Sequence, residues 1–132
     1  MTRTAILAAA VLAFASGTFA QTVGQTETGL AAVYNDILNG KVTASGQVYD
    51  NTALTAAHKT LPFGTRIKVT NPRNQRSVTL RVNDRGPVQA GRILDISPAA
   101  AAALGFSPKV MREVSLEVLE VGNGKTWKQR GQ

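Results

Sequence analysis

Two acidic residues stand where apolar strands ought to exclude them, and that limits what the chain can fold into. Asp84 closes the alternating run Ser77-Val78-Thr79-Leu80-Arg81-Val82 and adjoins Arg85-Gly86-Pro87, where a turn begins. Asp95 lies inside Ile93-Leu94-Asp95-Ile96. A carboxylate removed from water is costly unless it is hydrogen-bonded, paired or protonated. Two such acids in neighbouring strand-like segments point to a site more than to a solvated face. The single histidine, His58, also has apolar neighbours, in Leu54-Thr55-Ala56-Ala57-His58-Lys59-Thr60-Leu61-Pro62. These three residues are candidates for one constellation.

The surrounding pattern is that of short strands. Thr65 to Thr70 alternates polar and apolar with period two, the mark of a half-buried strand. The turn Asn71-Pro72-Arg73-Asn74 separates it from the next alternating strand, Ser77 to Val82. Gly29 to Tyr34 reads as a first strand, Ile93 to Ile96 as a short one and Val114 to Val121 as the last. Leu54 to His58 is either a strand or a helical turn. Asn35 to Asp50, rich in Gly, Asn, Ser and Thr, reads as a long loop, and loops of that length in a small domain are often functional. Ser97-Pro98 supplies an N-cap and a proline at the first helical position for a short helix, with Gly105 just past its end. Five or six short strands, one short helix and no βαβ alternation favour a small closed β-barrel over a doubly wound sheet.

The flanks read differently. Arg3, the apolar run Ala5 to Ala15 and the small residues Ser16 to Ala20 occur in the order of a secretory signal, cut after Ala20. The apolar run is too short to span a bilayer. Residues 21–28 are expected to be a flexible lead-in, 29–121 one domain, and 122–132 a polar, basic tail that frays. The 132-residue chain carries a net charge of +7. Its basic residues are dispersed and its aromatics few, so nucleic acid is not the expected partner, and export points to acidic polymers of the cell envelope instead. There is no cysteine. The exported fold is therefore expected to rest on its core alone and to lack a lipid anchor. One histidine without cysteine does not make a usual zinc site, and no metal or cofactor is expected. The expectation is a periplasmic or secreted monomer.

The successive segments Gly29-Leu30-Ala31-Ala32-Val33-Tyr34, Gly40-Lys41-Val42-Thr43-Ala44-Ser45-Gly46, Leu54 to Thr65, Val82-Asn83-Asp84-Arg85-Gly86-Pro87 and Gly91-Arg92-Ile93-Leu94-Asp95-Ile96-Ser97 resemble the ordered motifs of the rare lipoprotein A family. The resemblance covers about Gly29 to Val121. It implies a six-stranded double-psi β-barrel with one or two short helices, a fold shared with expansins and barwin-like proteins. It also implies an activity. Several members are lytic transglycosylases that cleave the bond between N-acetylmuramic acid and N-acetylglucosamine in peptidoglycan without adding water, preferring strands stripped of stem peptides. The alternative is a non-catalytic wall-glycan binder or loosening module, similar to expansins.

The resemblance assigns roles. Asp84 matches the acid/base; taken without the resemblance, it reads first as an Asx cap for its turn. Asp95 matches an aspartate that lines the groove in expansins and their relatives, with a structural role before the helix as the other reading. His58 is expected to contact substrate or hold the acid in place, or else to be a satisfied structural histidine. Lys59 and Arg85 would flank the groove and meet sugar hydroxyls or the lactyl carboxylate. Tyr34 and Tyr49 are candidates for sugar stacking or for the barrel rim, and Thr43 belongs to the substrate-binding loop. Gln47 departs from the pattern, because family members often carry glutamate there. Glutamine keeps the hydrogen bonding and loses the charge and the proton. The lipidation cysteine and the C-terminal peptidoglycan-binding repeat that many members carry are not found in the sequence.

Overall fold

Period-two alternation decides which side chains meet inside. The computed structural model describes residues 22–127, so the expected signal segment and the end of the tail lie outside the described residues. In β3 (Arg66–Asn71) Ile67 and Val69 turn inward while Arg66 and Lys68 stay exposed. β6 (Arg112–Glu120) does the same with Val114, Leu116 and Val118 inside and Glu113 and Glu117 outside. β4 (Arg76–Asp84) adds Leu80 and Val82. Together with β1 (Thr26–Val33), β2 (Thr55–Ala57) and β5 (Arg92–Ile96) they close into a barrel of order β1-β5-β2-β4-β3-β6. β1 with β5 and β2 with β4 run parallel, and the other neighbours run antiparallel. This is the double-psi barrel the motifs implied. Each fully buried Val, Leu or Ile contributes about 1.5–3 kcal/mol, and that core holds a fold without disulfides.

The one helix among the described residues, α1 (Pro98–Leu104), forms for local reasons. The Ser97 hydroxyl accepts the Ala100 N–H at 3.2 Å, Pro98 opens the helix, and Gly105 ends it in the left-handed region at φ 82°. Its Ala100, Ala101 and Leu104 join the barrel core. The Leu104 carbonyl, left without an intrahelical partner, accepts the side-chain N–H groups of Asn71 at 2.9 Å and Asn74 at 3.1 Å. A single 3-10 turn, Asp36–Leu38, lies in the long loop.

The structure differs from the sequence reading at both flanks. β1 begins at Thr26, inside the expected lead-in, because Thr26, Glu27 and Thr28 pair with Glu117, Leu116 and Ser115 of β6. The expected fraying of the tail is also corrected for Gly122 to Trp127. The Gly122 N–H donates to Thr65 Oγ1 at 3.0 Å, Gly124 to the Phe63 carbonyl at 3.1 Å, and Trp127 to the Ser45 carbonyl. A Cβ at Gly122 would sit 2.2 Å from the Phe63 carbonyl oxygen and 2.4 Å from the Gly64 carbonyl carbon. The contact is backbone against backbone, so it leaves no hydrophobic signature. Gly122→Ala is therefore expected to destabilise the protein by about 1–3 kcal/mol. Urea denaturation reads this as a lower midpoint at unchanged slope; an unchanged midpoint would mean the segment does not pack here.

Candidate active site

Asp84 ends β4 where the strand parts from its parallel neighbour β2, at a register shift between Ala56 and Ala57. Its half-buried carboxylate gathers three donors. Oδ1 accepts the backbone N–H of Ala44 at 2.9 Å and that of Arg85 at 2.9 Å. Oδ2 accepts the Tyr34 hydroxyl at 2.5 Å. A carboxylate offers about four lone-pair positions. Three are occupied, and the one left open is on Oδ2.

The loop that delivers Ala44 is a small hairpin. Val42 and Val48 form an isolated bridge, the Thr43 N–H donates to the Gln47 carbonyl at 2.9 Å, and the Gly46 N–H to the Thr43 carbonyl at 2.8 Å. The Thr43 hydroxyl donates to the Gln47 carbonyl at 2.6 Å. Gln47 anchors the hairpin to β4, its Oε1 accepting Arg81 Nη2 at 2.6 Å and Asn83 Nδ2 at 3.1 Å. Two donors facing one atom fix that atom as the amide oxygen.

Tyr34 follows β1 and packs on Tyr49, with ring centroids 4.5 Å apart at 43°. Burial pushes the Tyr34 phenol above its ordinary range, and the hydrogen bond to Asp84 and the charges of Asp84 and Asp95 push the same way. Burial also raises Tyr49, to about 12. At neutral pH the Tyr34 hydroxyl is thus a fixed donor to Asp84. Asp95 lies beside this group, its Oδ1 paired with Arg92 Nη2 at 2.5 Å and its Oδ2 facing Gly86. Gly86 has φ 121°, which a side chain rarely adopts.

A family model described as lytic transglycolase matches residues 26–121. The chain belongs to that family. It is 46% identical over 104 residues to the endolytic peptidoglycan transglycosylase RlpA of Campylobacter jejuni, covering 79% of this chain and 38% of that protein. It is 46% identical over 98 residues to the RlpA of Pasteurella multocida, covering 74% and 33%. The chain thus spans about a third of the length of the curated relatives it matches. Among solved structures, a Clavibacter michiganensis expansin in complex with cellohexaose is similar at TM-score 0.58 and 20% identity, covering 73% of this chain and 51% of that one. A Streptomyces papain inhibitor is similar at TM-score 0.57 and 23% identity, covering 74% and 97%. These two likenesses show the barrel fold.

Within this family member, several expected site residues sit differently from their sequence-based roles. Tyr49 is 2% exposed, so it is no stacking surface; it backs Tyr34 from inside. His58 is 4% exposed and both ring nitrogens are engaged, Nδ1 by the N–H groups of Thr60 and Leu61 at 3.0 Å each, Nε2 by Glu27 at 2.8 Å. The ring is thus enclosed by protein groups, and the backbone N–H of His58 donates to the main-chain carbonyl of Asp84 at 3.2 Å. Arg85 stacks over Phe63 at 4.1 Å, and its Nη1 donates to the carbonyls of His58 at 3.2 Å and Leu61 at 2.7 Å. It staples two loops together, and partial burial lowers its pKa from the ordinary value. Lys59 is exposed and reaches the Gln89 carbonyl at 3.3 Å. The Asp95 carboxylate has the Arg92 guanidinium as its partner. No group of three or more His, Cys, Asp or Glu among the described residues is placed to hold a metal ion.

Sequence reasoning missed Glu27 and the Ala44 N–H. The first gave no signal, because Glu27 lies in the polar run Thr26-Glu27-Thr28 and its half-buried position shows only once β1 is formed. The second is a main-chain group and had none.

Tyr34→Phe removes one hydrogen bond to a carboxylate and is expected to cost about 1.5–3 kcal/mol at neutral pH. The pH dependence follows from the raised phenol. Below pH ~10 the phenol is protonated in both states and contributes no slope; above it the unfolded chain loses the proton first, so stability falls as pH rises. Tyr34→Phe should flatten that alkaline fall in urea denaturation measured from neutral to alkaline pH. Parallel curves would show that Tyr34 is not the group responsible.

Proposed function

We propose that this barrel is an exported lytic transglycosylase with Asp84 as its acid/base, cleaving peptidoglycan between N-acetylmuramic acid and N-acetylglucosamine. The observation that carries this reading is the carboxyl with three donors fixed and one lone pair open on Oδ2. The relatives' names, endolytic peptidoglycan transglycosylase, supply the substrate class.

Hydrolysis usually takes two carboxylates, one as acid and one to activate water or attack. The lytic reaction takes one. Protonated Oδ2 gives its proton to the glycosidic oxygen as the C1–O bond breaks. The resulting carboxylate accepts the proton of the muramic C6 hydroxyl, whose oxygen closes on C1 and leaves a 1,6-anhydro end. The proton returns to Asp84 and no water is consumed. The Ala44 and Arg85 N–H groups and the Tyr34 hydroxyl are already aimed at the charge that develops on Asp84 between the two steps, so little reorganisation is needed. Lys59 and the Thr43 loop are the proposed glycan-binding neighbours of this point, and peptide-poor strands are the proposed substrate. We place the protein in the periplasm or outside the cell as a monomer.

The test is mass spectrometry of soluble products from purified sacculi, intact and amidase-treated. The wild type is expected to release anhydro-muramic fragments and Asp84→Asn to release at least about 100-fold fewer. Comparable cleavage by Asp84→Asn sinks the assignment. Gln47 motivates a second reading, a glycan binder without turnover, which predicts sedimentation with sacculi and no fragments from either protein. Because Gln47 already receives Arg81 and Asn83, Gln47→Glu is expected to keep the loop geometry and add about 1 kcal/mol of stability through a charge-assisted pair. Loss of stability on urea denaturation would mean that the loop requires a neutral amide.

A further inference from the structure

Glu27 is an acid on the inward-facing side of β1, and the reaction above makes no use of it. The strand turns Thr26, Thr28 and Leu30 outward and Glu27, Gly29 and Ala31 toward the interior. The Glu27 carboxylate ends 2.8 Å from His58 Nε2, with the Glu27 side chain 38% exposed and the histidine 5%. On the other edge of the ring, Nδ1 faces the N–H groups of Thr60 and Leu61, each at 3.0 Å.

Those two amides can only donate, so Nδ1 is an acceptor and carries no proton. The neutral ring then bears its proton on Nε2 and donates it to Glu27. A proton on Nδ1 would face two other donors and break the turn from His58 to Leu61. That turn grips the catalytic segment from both ends. The His58 N–H donates to the Asp84 carbonyl at 3.2 Å, and the carbonyls of His58 and Leu61 receive Arg85 Nη1. Arg85 in turn gives its own N–H to Asp84 Oδ1. A buried imidazole N–H needs an acceptor, and Glu27 is the one present.

We infer that Glu27 is a positioning residue for the acid/base. It holds His58 as the Nε2–H tautomer and, through the turn from His58 to Leu61, keeps Asp84 and Arg85 in place. The inference rests on the reading of Asp84 as acid/base. Glu27 touches no substrate in this scheme, so its effect falls on turnover rather than on binding.

His58 is the only histidine in the chain, so ring ¹⁵N spectra report it alone. At neutral pH the wild type is expected to show one unprotonated nitrogen, Nδ1, and one protonated nitrogen, Nε2. A doubly protonated ring or the Nδ1–H form overturns the inference. Glu27→Gln keeps an acceptor oxygen and is expected to keep both the tautomer and most of kcat. Glu27→Met keeps the stem without the acceptor; it should show exchange between ring forms and a kcat on peptide-free glycan lower by about ten- to a hundredfold, with KM held. Equal kcat for wild type and Glu27→Met, or a change in KM alone, overturns the positioning role. If Glu27→Met does not fold, the wild-type ring spectrum and the Glu27→Gln kinetics still decide. If the wild type releases no fragments, the acid/base reading fails, and the ring spectra then decide the Glu27–His58 lock by themselves.

Discussion

One carboxylate joins segments that the chain keeps far apart. Asp84 receives Tyr34 from the end of β1, Ala44 from the hairpin in the long loop and Arg85 from the turn after β4. Each donor comes from an element fixed by something else: Tyr34 by β1 pairing and the ring of Tyr49, Ala44 by the Gln47 anchor, Arg85 by Phe63 and two carbonyls. The barrel brings these elements within reach, and the acid satisfies groups that would otherwise be left unpaired. The geometry at Oδ2 is therefore a property of the whole fold rather than of one loop.

The polar groups around Asp84 outnumber those that any chemistry needs. Arg81 and Asn83 serve Gln47, Arg92 serves Asp95, and Glu27 serves His58. Each of these pairs fixes one side chain near the acid, and a buried polar network gains rigidity from the partners its members find. Gln47 illustrates the point. Its oxygen is turned toward β4, so the glutamine maintains the loop that presents Ala44 and meets the same donors a carboxylate would.

Much of the fold could be read directly. Ile67 and Val69, or Val114, Leu116 and Val118, announce their strands by alternation, and Ser97, Pro98 and Gly105 announce the helix. The acids Asp84 and Asp95 announced themselves as anomalies. What stayed hidden had no side-chain signature. Thr26 to Thr28 look like a polar lead-in because β6 binds them through main-chain groups. Gly122 to Trp127 look like a fraying tail for the same reason. Tyr49 reads as a rim aromatic until burial shows it inside, and Arg85 as a groove cation until its guanidinium is found on Phe63. Sequence identifies which residues are unusual; which way they face depends on loop geometry that alternation does not encode.

The barrel closes by pairing its first strand with its last, Thr26 to Ala31 of β1 against β6. Contacts between distant parts of a chain make folding slow, because loop-closure entropy precedes any reward. A chain emerging from a ribosome or crossing a membrane from its N-terminus holds Tyr34 and Asp84 early but lacks β6 until Glu120 has appeared. Until then the Thr26–Ala31 stretch of β1 lacks its antiparallel partner and the barrel stays open, although Tyr34 is already within reach of β5, which takes its N–H on the Ile96 carbonyl at 2.9 Å. The core is thus fully enclosed only once the last strand is in place, so the end of the chain decides when the beginning stops being an open sheet edge.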